Sequence, residues 1–237
     1  MSHACCLVIL NEFEDLPTVM EPYEECPDND DYLEFEDITD DVLKEYKDYV
    51  DEGKEEVNFT EFLDRNGYVE QDGRYGYKSN PNGHWDWYEV GGRWSSYLKL
   101  KDKVKYPNKI FIQGKLFEGY ETHCDECLKE DFDYEGMKKL AYDNAVKSWE
   151  EHEKNPDKDA YWEYGIYKDE TKETFLNRIK NENLFYAIIK DGEWFSRGDM
   201  GWFGISRNDK DNWVEIEKQL INEADKKARL VLVDFHI

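Results

Sequence analysis

The sequence predicts an α+β fold, a single mixed or antiparallel sheet covered by helices. Apolar runs of strand length stand at scattered positions, one two-residue hairpin signal joins two of them, and four or five stretches carry helical periodicity. At 237 residues the chain is long enough to bury a sizeable core. The expectation is one α+β domain over 1–237, with an acidic, partly helical insertion around 28–65.

Cys5-Cys6-Leu7-Val8-Ile9-Leu10 is a short apolar run and reads as a buried strand. Pro17, Pro22 and Pro27 bracket a loop of limited freedom, and the acidic run 28–41 reads as solvated and mobile. From Val42 the pattern turns helical. Val42, Leu43, Tyr46, Tyr49 and Val50 share a face, Thr39 stands at the cap, Asp40 and Asp41 suit the dipole and Gly53 ends the helix. A short helix over Phe59–Arg65 leads into a Gly-rich segment, 66–82.

A strand is expected at Ile110–Gln113 and a long helix at Tyr134–Lys154, with Met137, Leu140, Ala141, Val146 and Trp149 inward. Another helix runs over Thr171–Lys180. Leu184–Lys190 and Glu193–Phe195 flank Asp191-Gly192, a hairpin signal. A last helix, Asp211–Lys227, feeds a terminal strand, Leu230–His236.

Charge is uneven. Residues 1–72 hold 24 Asp and Glu against four Lys and Arg, a net of −20, while the remaining 32 acids and 27 bases net −5. Such a surface repels phosphate backbones and membrane headgroups and attracts basic proteins or cations. Direct nucleic-acid binding is therefore disfavoured. Asp28, Asp30, Asp31, Glu34, Glu36, Asp37, Asp40 and Asp41 are the candidate partner-binding residues. Aromatic residues make up 16% of the chain, more than a disordered chain carries, so most of it is expected to fold. No basic region followed by a long apolar run opens the sequence and no run has transmembrane length, which makes the cytoplasm the expected compartment. Five cysteines, two of them adjacent in a strand, argue against a disulfide framework.

The densest aromatic stretch is 80–97, NPNGHWDWYEVGGRWSSY. Trp85-Asp86-Trp87-Tyr88 alternates, and Gly91-Gly92 permits a positive φ or a close approach. Trp85, Asp86, Trp87, Arg93, Trp94 and His236 are the candidate ligand residues: tryptophans stack a planar group and the guanidinium holds a phosphate or carboxylate. The competing reading makes the same residues an aromatic core braced by an Arg-Asp pair. Asp234 and His236 share a face of the last strand, a geometry that suits either acid-base work or a structural pair.

His123-Cys124-Asp125-Glu126-Cys127 offers a C-x-x-C beside a histidine, but a zinc site needs a second ligand pair and free cysteines are expected. Gly198-Asp199-Met200-Gly201-Trp202-Phe203-Gly204 reads as a loop after the hairpin, with Trp202 and Phe203 inward. No G-x-S-x-G, Walker A, H-E-x-x-H or EF-hand pattern is present, so no catalytic residue, metal or cofactor is expected.

The stretch from Asn80 to Trp94 resembles a family of uncharacterised proteins encoded by bacteriophages, prophages and some bacteria. The likeness continues in Pro22-Tyr23-Glu24-Glu25, in Asp133-Tyr134-Glu135-Gly136-Met137, in Asp191-Gly192-Glu193-Trp194 with the Gly198–Gly204 loop, and in Val233-Asp234-Phe235-His236-Ile237. His84 and Phe235 replace the family's frequent Lys and Cys. The resemblance implies a phage setting, in which accessory proteins often antagonise host defence. The leading expectation is an acidic inhibitor of a host nucleic-acid-handling complex, acting in the manner of an anti-CRISPR on a basic host surface. Alternatives are a small-molecule or nucleotide binder, or an enzyme, built on 80–97, and a structural component of a phage.

Overall fold

The computed structural model describes residues 2–53, 57–101, 110–112, 115–117, 122–201 and 205–237. The elements, in order, are β1 (His3–Leu10), α1 (Leu16–Met20), β2 (Glu34–Asp37), α2 (Thr39–Asp51), α3 (Phe59–Asn66), β3 (Val69–Gln71), β4 (Arg74–Ser79), β5 (Trp87–Val90) and β6 (Leu98–Lys99). They continue with β7 (Ile110–Ile112), β8 (Lys115–Phe117), β9 (His123–Cys124), β10 (Glu126–Leu128), α4 (Tyr134–Lys154), α5 (Ala160–Tyr164) and α6 (Lys172–Lys180). The last are β11 (Ala187–Lys190), β12 (Glu193–Ser196), β13 (Asp199–Met200), β14 (Ser206–Arg207), α7 (Trp213–Glu223) and β15 (Arg229–His236). The fold is α+β. It divides into two compact units, residues 1–19 with 87–237, and residues 20–86.

The first unit is built on a six-stranded mixed sheet, ordered β10-β15-β1-β11-β12, with β5 also paired to β15. β1 runs parallel to β11 and antiparallel to β15. β10 takes Arg229–Val231 of β15 and β5 takes Val233–His236. Register decides which side chains share a face. His3, Cys5, Leu7 and Ile9 stand opposite His236, Asp234, Leu232 and Leu230, and cross-strand partners project to the same side. On that side Leu7, Ile9, Leu230, Leu232 and Ile188 form the core, with Met137 of α4 and Trp213, Leu220 and Ile221 of α7. A smaller cluster of Ala145, Ile166 and Phe175 ties α4 to α6.

The second unit has its own three-stranded antiparallel sheet, β2-β4-β3. Its core is Val42, Val57, Phe62 and Leu63, ringed by Tyr46, Tyr49, Phe59, Tyr68 and Tyr75.

The expectation of one sheet is corrected: beside the principal sheet stand the β2-β4-β3 sheet and three two-stranded ribbons. The acidic run 28–41, expected to be solvated and mobile, contains β2. Its alternation half-buries Phe35, whose ring lies 5.5 Å from the Arg74 guanidinium carbon, and turns Glu34 and Glu36 outward. Thr39 is not the cap of α2. Ile38 holds that position, and Thr39 Oγ1 instead accepts from Tyr75 N at 2.8 Å and donates to Asp37 at 2.7 Å, tying helix to sheet.

Leu43, Val50 and Leu140 are exposed, off the faces assigned to them, whereas Ala145 is buried. β11 starts at Ala187 because residues 183–186 turn around a buried carboxylate, described below. α7 covers Trp213–Glu223, shorter than expected, because Ala224 is already extended. Asp191-Gly192 forms the expected hairpin, with φ of 53° and 76°. Gln113, Trp202, Phe203 and Gly204 lie outside the described residues.

Candidate functional site

The inward face of β1 and β15 is apolar from Ile9 and Leu230 as far as Cys5, and then becomes polar. Asp234 is 1% exposed. A carboxylate there requires partners, since burying one without hydrogen bonds costs several kcal/mol, roughly. It has two: Oδ1 lies 2.8 Å from His3 Nδ1, and Oδ2 accepts from Arg93 N at 2.9 Å. The imidazole beside Asp234 is thus His3, diagonal across the strand pair. His236 stands opposite His3, with ring centroids 5.0 Å apart. Trp87 of β5 lies edge-on to both, at 5.9 Å from His3 and 6.5 Å from His236.

Gly91-Gly92 is what lets the chain reach Asp234. Both glycines have positive φ, 73° and 46°. A Cβ on Gly92 would fall 2.5 Å from Asp234 Cβ, and one on Gly91 2.7 Å from the Asp125 carboxyl carbon. No side chain fits at either place. Asp125 is the second buried carboxylate. Burial pushes its pKa up, opposed by hydrogen bonds from Ser96 N and Ser95 Oγ. Those bonds hold Ser96 at φ 61°. The Gly-Gly-Arg-Trp turn is therefore clamped between two aspartates that lie 109 residues apart in sequence.

Beside this polar end a cavity of about 400 Å³ opens within the first unit. Its walls include His3, Trp94, Tyr97, Lys138, Tyr186 and Arg197. Burial lowers the Lys138 pKa, against the pull of Glu217, Glu182 and Glu135, and its ammonium donates to the Glu182 carbonyl. Arg197 pairs with Asp209 at 2.6 Å. Tyr186 Oη donates to Gly198 O at 2.7 Å. Burial also raises the pKa of Tyr97 far above that of a free phenol.

The turn that carries the far wall is built on Glu217. This side chain is fully buried; it accepts from Leu184 N at 3.0 Å, from Phe185 N at 2.8 Å and from Tyr134 Oη at 2.8 Å. Its pKa is raised by burial and pulled back by those bonds.

The six sequence-nominated ligand residues do not form one site. Trp85 is buried in the second unit, where Nε1 donates to Met20 O at 3.2 Å, and exposed Asp86 ends that unit. Trp87 and His236 ring His3. Arg93 contributes its backbone N–H, with its side chain exposed. Of the six, only Trp94 lines the cavity. His3, Tyr97, Lys138 and Arg197 were missed. A signal for His3 exists in the strand period: it continues the inward series Ile9, Leu7, Cys5 as its one ionisable ring.

All eight nominated acids of the second unit are exposed. Asp30 pairs with Lys78 at 3.0 Å and Asp37 with Arg74 at 3.8 Å. Asp28, Glu34, Asp40 and Asp41 form no ion pair among the described residues. Cys5, Cys6, Cys124 and Cys127 are buried and Cys26 is exposed, all as free thiols. Burial pushes the Cys5 thiol up to about 12, which removes it as a nucleophile near neutral pH. No group of three or more metal-ligating side chains occurs among the described residues. Nor, among those residues, is any helix long and apolar enough to cross a membrane.

No protein-family description, curated protein or solved structure matches this chain.

Proposed function

We propose that the protein is an acidic binding protein that occupies a basic surface with residues 20–86, and that its target is a host nucleic-acid-handling complex of the kind that anti-CRISPR proteins inhibit. The observation that carries this reading is the charge of a folded unit. Residues 20–86 hold 22 acidic against six basic residues, a net of −16 in 67 residues. An exposed array of carboxylates with few internal counter-charges is the electrostatic counterpart of a basic groove that binds phosphates. The likeness of 80–94 to phage-encoded proteins supplies the setting in which such an inhibitor would act.

The test uses the full chain with purified nucleic-acid-handling complexes, CRISPR effectors among them, over a salt series. Binding is expected at low salt, falling as salt rises, together with loss of the complex's nucleic-acid binding. Asp28→Lys, Glu34→Lys, Asp40→Lys and Asp41→Lys combined should abolish it. Failure to bind any basic partner at any salt concentration sinks the reading.

A further inference from the structure

The cavity beside His3 carries hydrogen-bonding capacity that the fold does not use. Trp94 Nε1, Tyr97 Oη and His3 Nε2 have no hydrogen-bond partner among the described residues, although all three side chains line the cavity and are partly buried. None of the three is sealed from solvent, so water bonds them in the free protein and a ligand can take its place. Their character is informative. An indole N–H only donates, a tyrosyl O–H donates readily, and the Lys138 ammonium has two further protons beyond the one given to Glu182 O. With Nδ1 turned to Asp234, Nε2 is the His3 nitrogen left for a ligand. Donors outnumber the wall's one carboxylate, Glu182, whose charge is countered by Lys138, and a donor-rich wall selects an acceptor-rich, anionic ligand.

The rest of the wall joins Ala141, Ile179, Leu184 and the Trp94, Tyr97 and Tyr186 rings to the polar side chains of Glu182, Asn183, Arg197 and Ser206. That surface suits a flat group. The volume of about 400 Å³ lies at the small end of ligand pockets, which run from roughly 300 to 1,000 Å³. A second, larger cleft of about 610 Å³ is lined from α4, α6 and α7, and there Lys139 pairs with Asp143 and Lys218 with Glu135, each at 2.5 Å.

We propose that the cavity bounded by His3, Trp94, Tyr97 and Lys138 binds one small anion bearing a planar ring, the chemistry shared by nucleoside monophosphates and aryl carboxylates. This site belongs to the first unit and is independent of the acidic surface.

Calorimetric titration of the full chain tests it, with AMP and indole-3-acetate as the two arms and with inorganic phosphate and adenosine as half-ligands. One arm is expected to saturate at one site per chain, at least tenfold tighter than either half-ligand. Tyr97→Phe keeps the ring and its packing and removes one donor; it should weaken binding about tenfold without moving the unfolding temperature. Lys138→Gln should weaken it comparably and flatten its salt dependence. The lysine substitutions of the second unit should leave the affinity unchanged, which separates this site from the partner surface. The proposal is overturned if neither arm saturates at millimolar concentration, if a half-ligand binds as tightly, or if both cavity variants bind as the natural chain does.

Discussion

At the scale of single residues, two positions bear more than their neighbours. Gly92 combines φ of 46° with an Asp234 side chain 2.5 Å from where a Cβ would sit. Gly92→Ala must strain the backbone and displace a buried carboxylate from Arg93 N. A loss of about 2–3 kcal/mol in unfolding free energy is expected, read as a lower urea midpoint with unchanged slope. Glu217 is the other. Glu217→Ala orphans two backbone N–H groups and the Tyr134 hydroxyl, and the expected cost is about 3 kcal/mol or more. Its pH dependence has a definite sign. The folded-state pKa is raised by burial, so the native chain holds this proton more tightly than the unfolded chain does. Ionisation therefore costs stability as pH rises through the folded value, and the site is most favourable below the unfolded value. Glu217→Gln cannot titrate. Stability of the natural chain relative to that variant should rise as pH falls through the raised folded-state value toward the unfolded one; a fall on acidification, in urea melts of both proteins, would show the shift to have the opposite sign.

At the scale of elements, local signals were legible and long-range ones were not. The bounds of α4 were readable because Tyr134–Lys154 has its period, its Asp133 cap bonded to Gly136 N and its stop before Pro156 all in one stretch of sequence. β1, α6 and the Asp191-Gly192 turn were readable for the same reason. β2 was not, since its acids outweigh its single half-buried Phe35 until β4 pairs with it. The candidate site was legible only in its motif-bearing parts. His3 and Asp234 are 231 residues apart in sequence, and only the strand register joins them. Tyr97, Lys138 and Glu217 come from different elements in the same way, so no spacing rule finds them. The hairpin gives a prediction at this scale. Asp191 and Gly192 both need positive φ, so replacing the pair with Ala-Ala should destabilise the β11-β12 ribbon. A loss of about 1–2 kcal/mol is expected, with hydrogen-exchange protection falling first at Ile188 and Ile189. Equal loss of protection across α4 would argue against a local effect.

At the scale of the whole molecule the dominant quantity is charge. The net of −25 is shared as −16 on residues 20–86 and −9 on the rest, so repulsion is concentrated in a small unit with a small core. Among the described residues the ion pairs given there, Arg65–Glu61, Lys78–Asp30 and the longer Arg74–Asp37 contact, are all exposed, and exposed pairs contribute little, ~0–1 kcal/mol each. Screening should therefore help the free protein. The Debye length falls from about 30 Å at 0.01 M salt to about 8 Å at 0.15 M. Over that range the unfolding temperature should rise by roughly 2–4 °C, the equivalent of about 1 kcal/mol for a chain of this size. Binding to a basic partner through the same unit must respond in the opposite direction, weakening as salt weakens the attraction. The two measurements, a thermal melt and a dissociation constant over one salt series, thus carry opposite signs. A melting temperature that falls with salt would mean that attraction between the ion pairs outweighs repulsion in residues 20–86. The acidic surface would then be a balanced exterior, with no unspent charge to offer a partner.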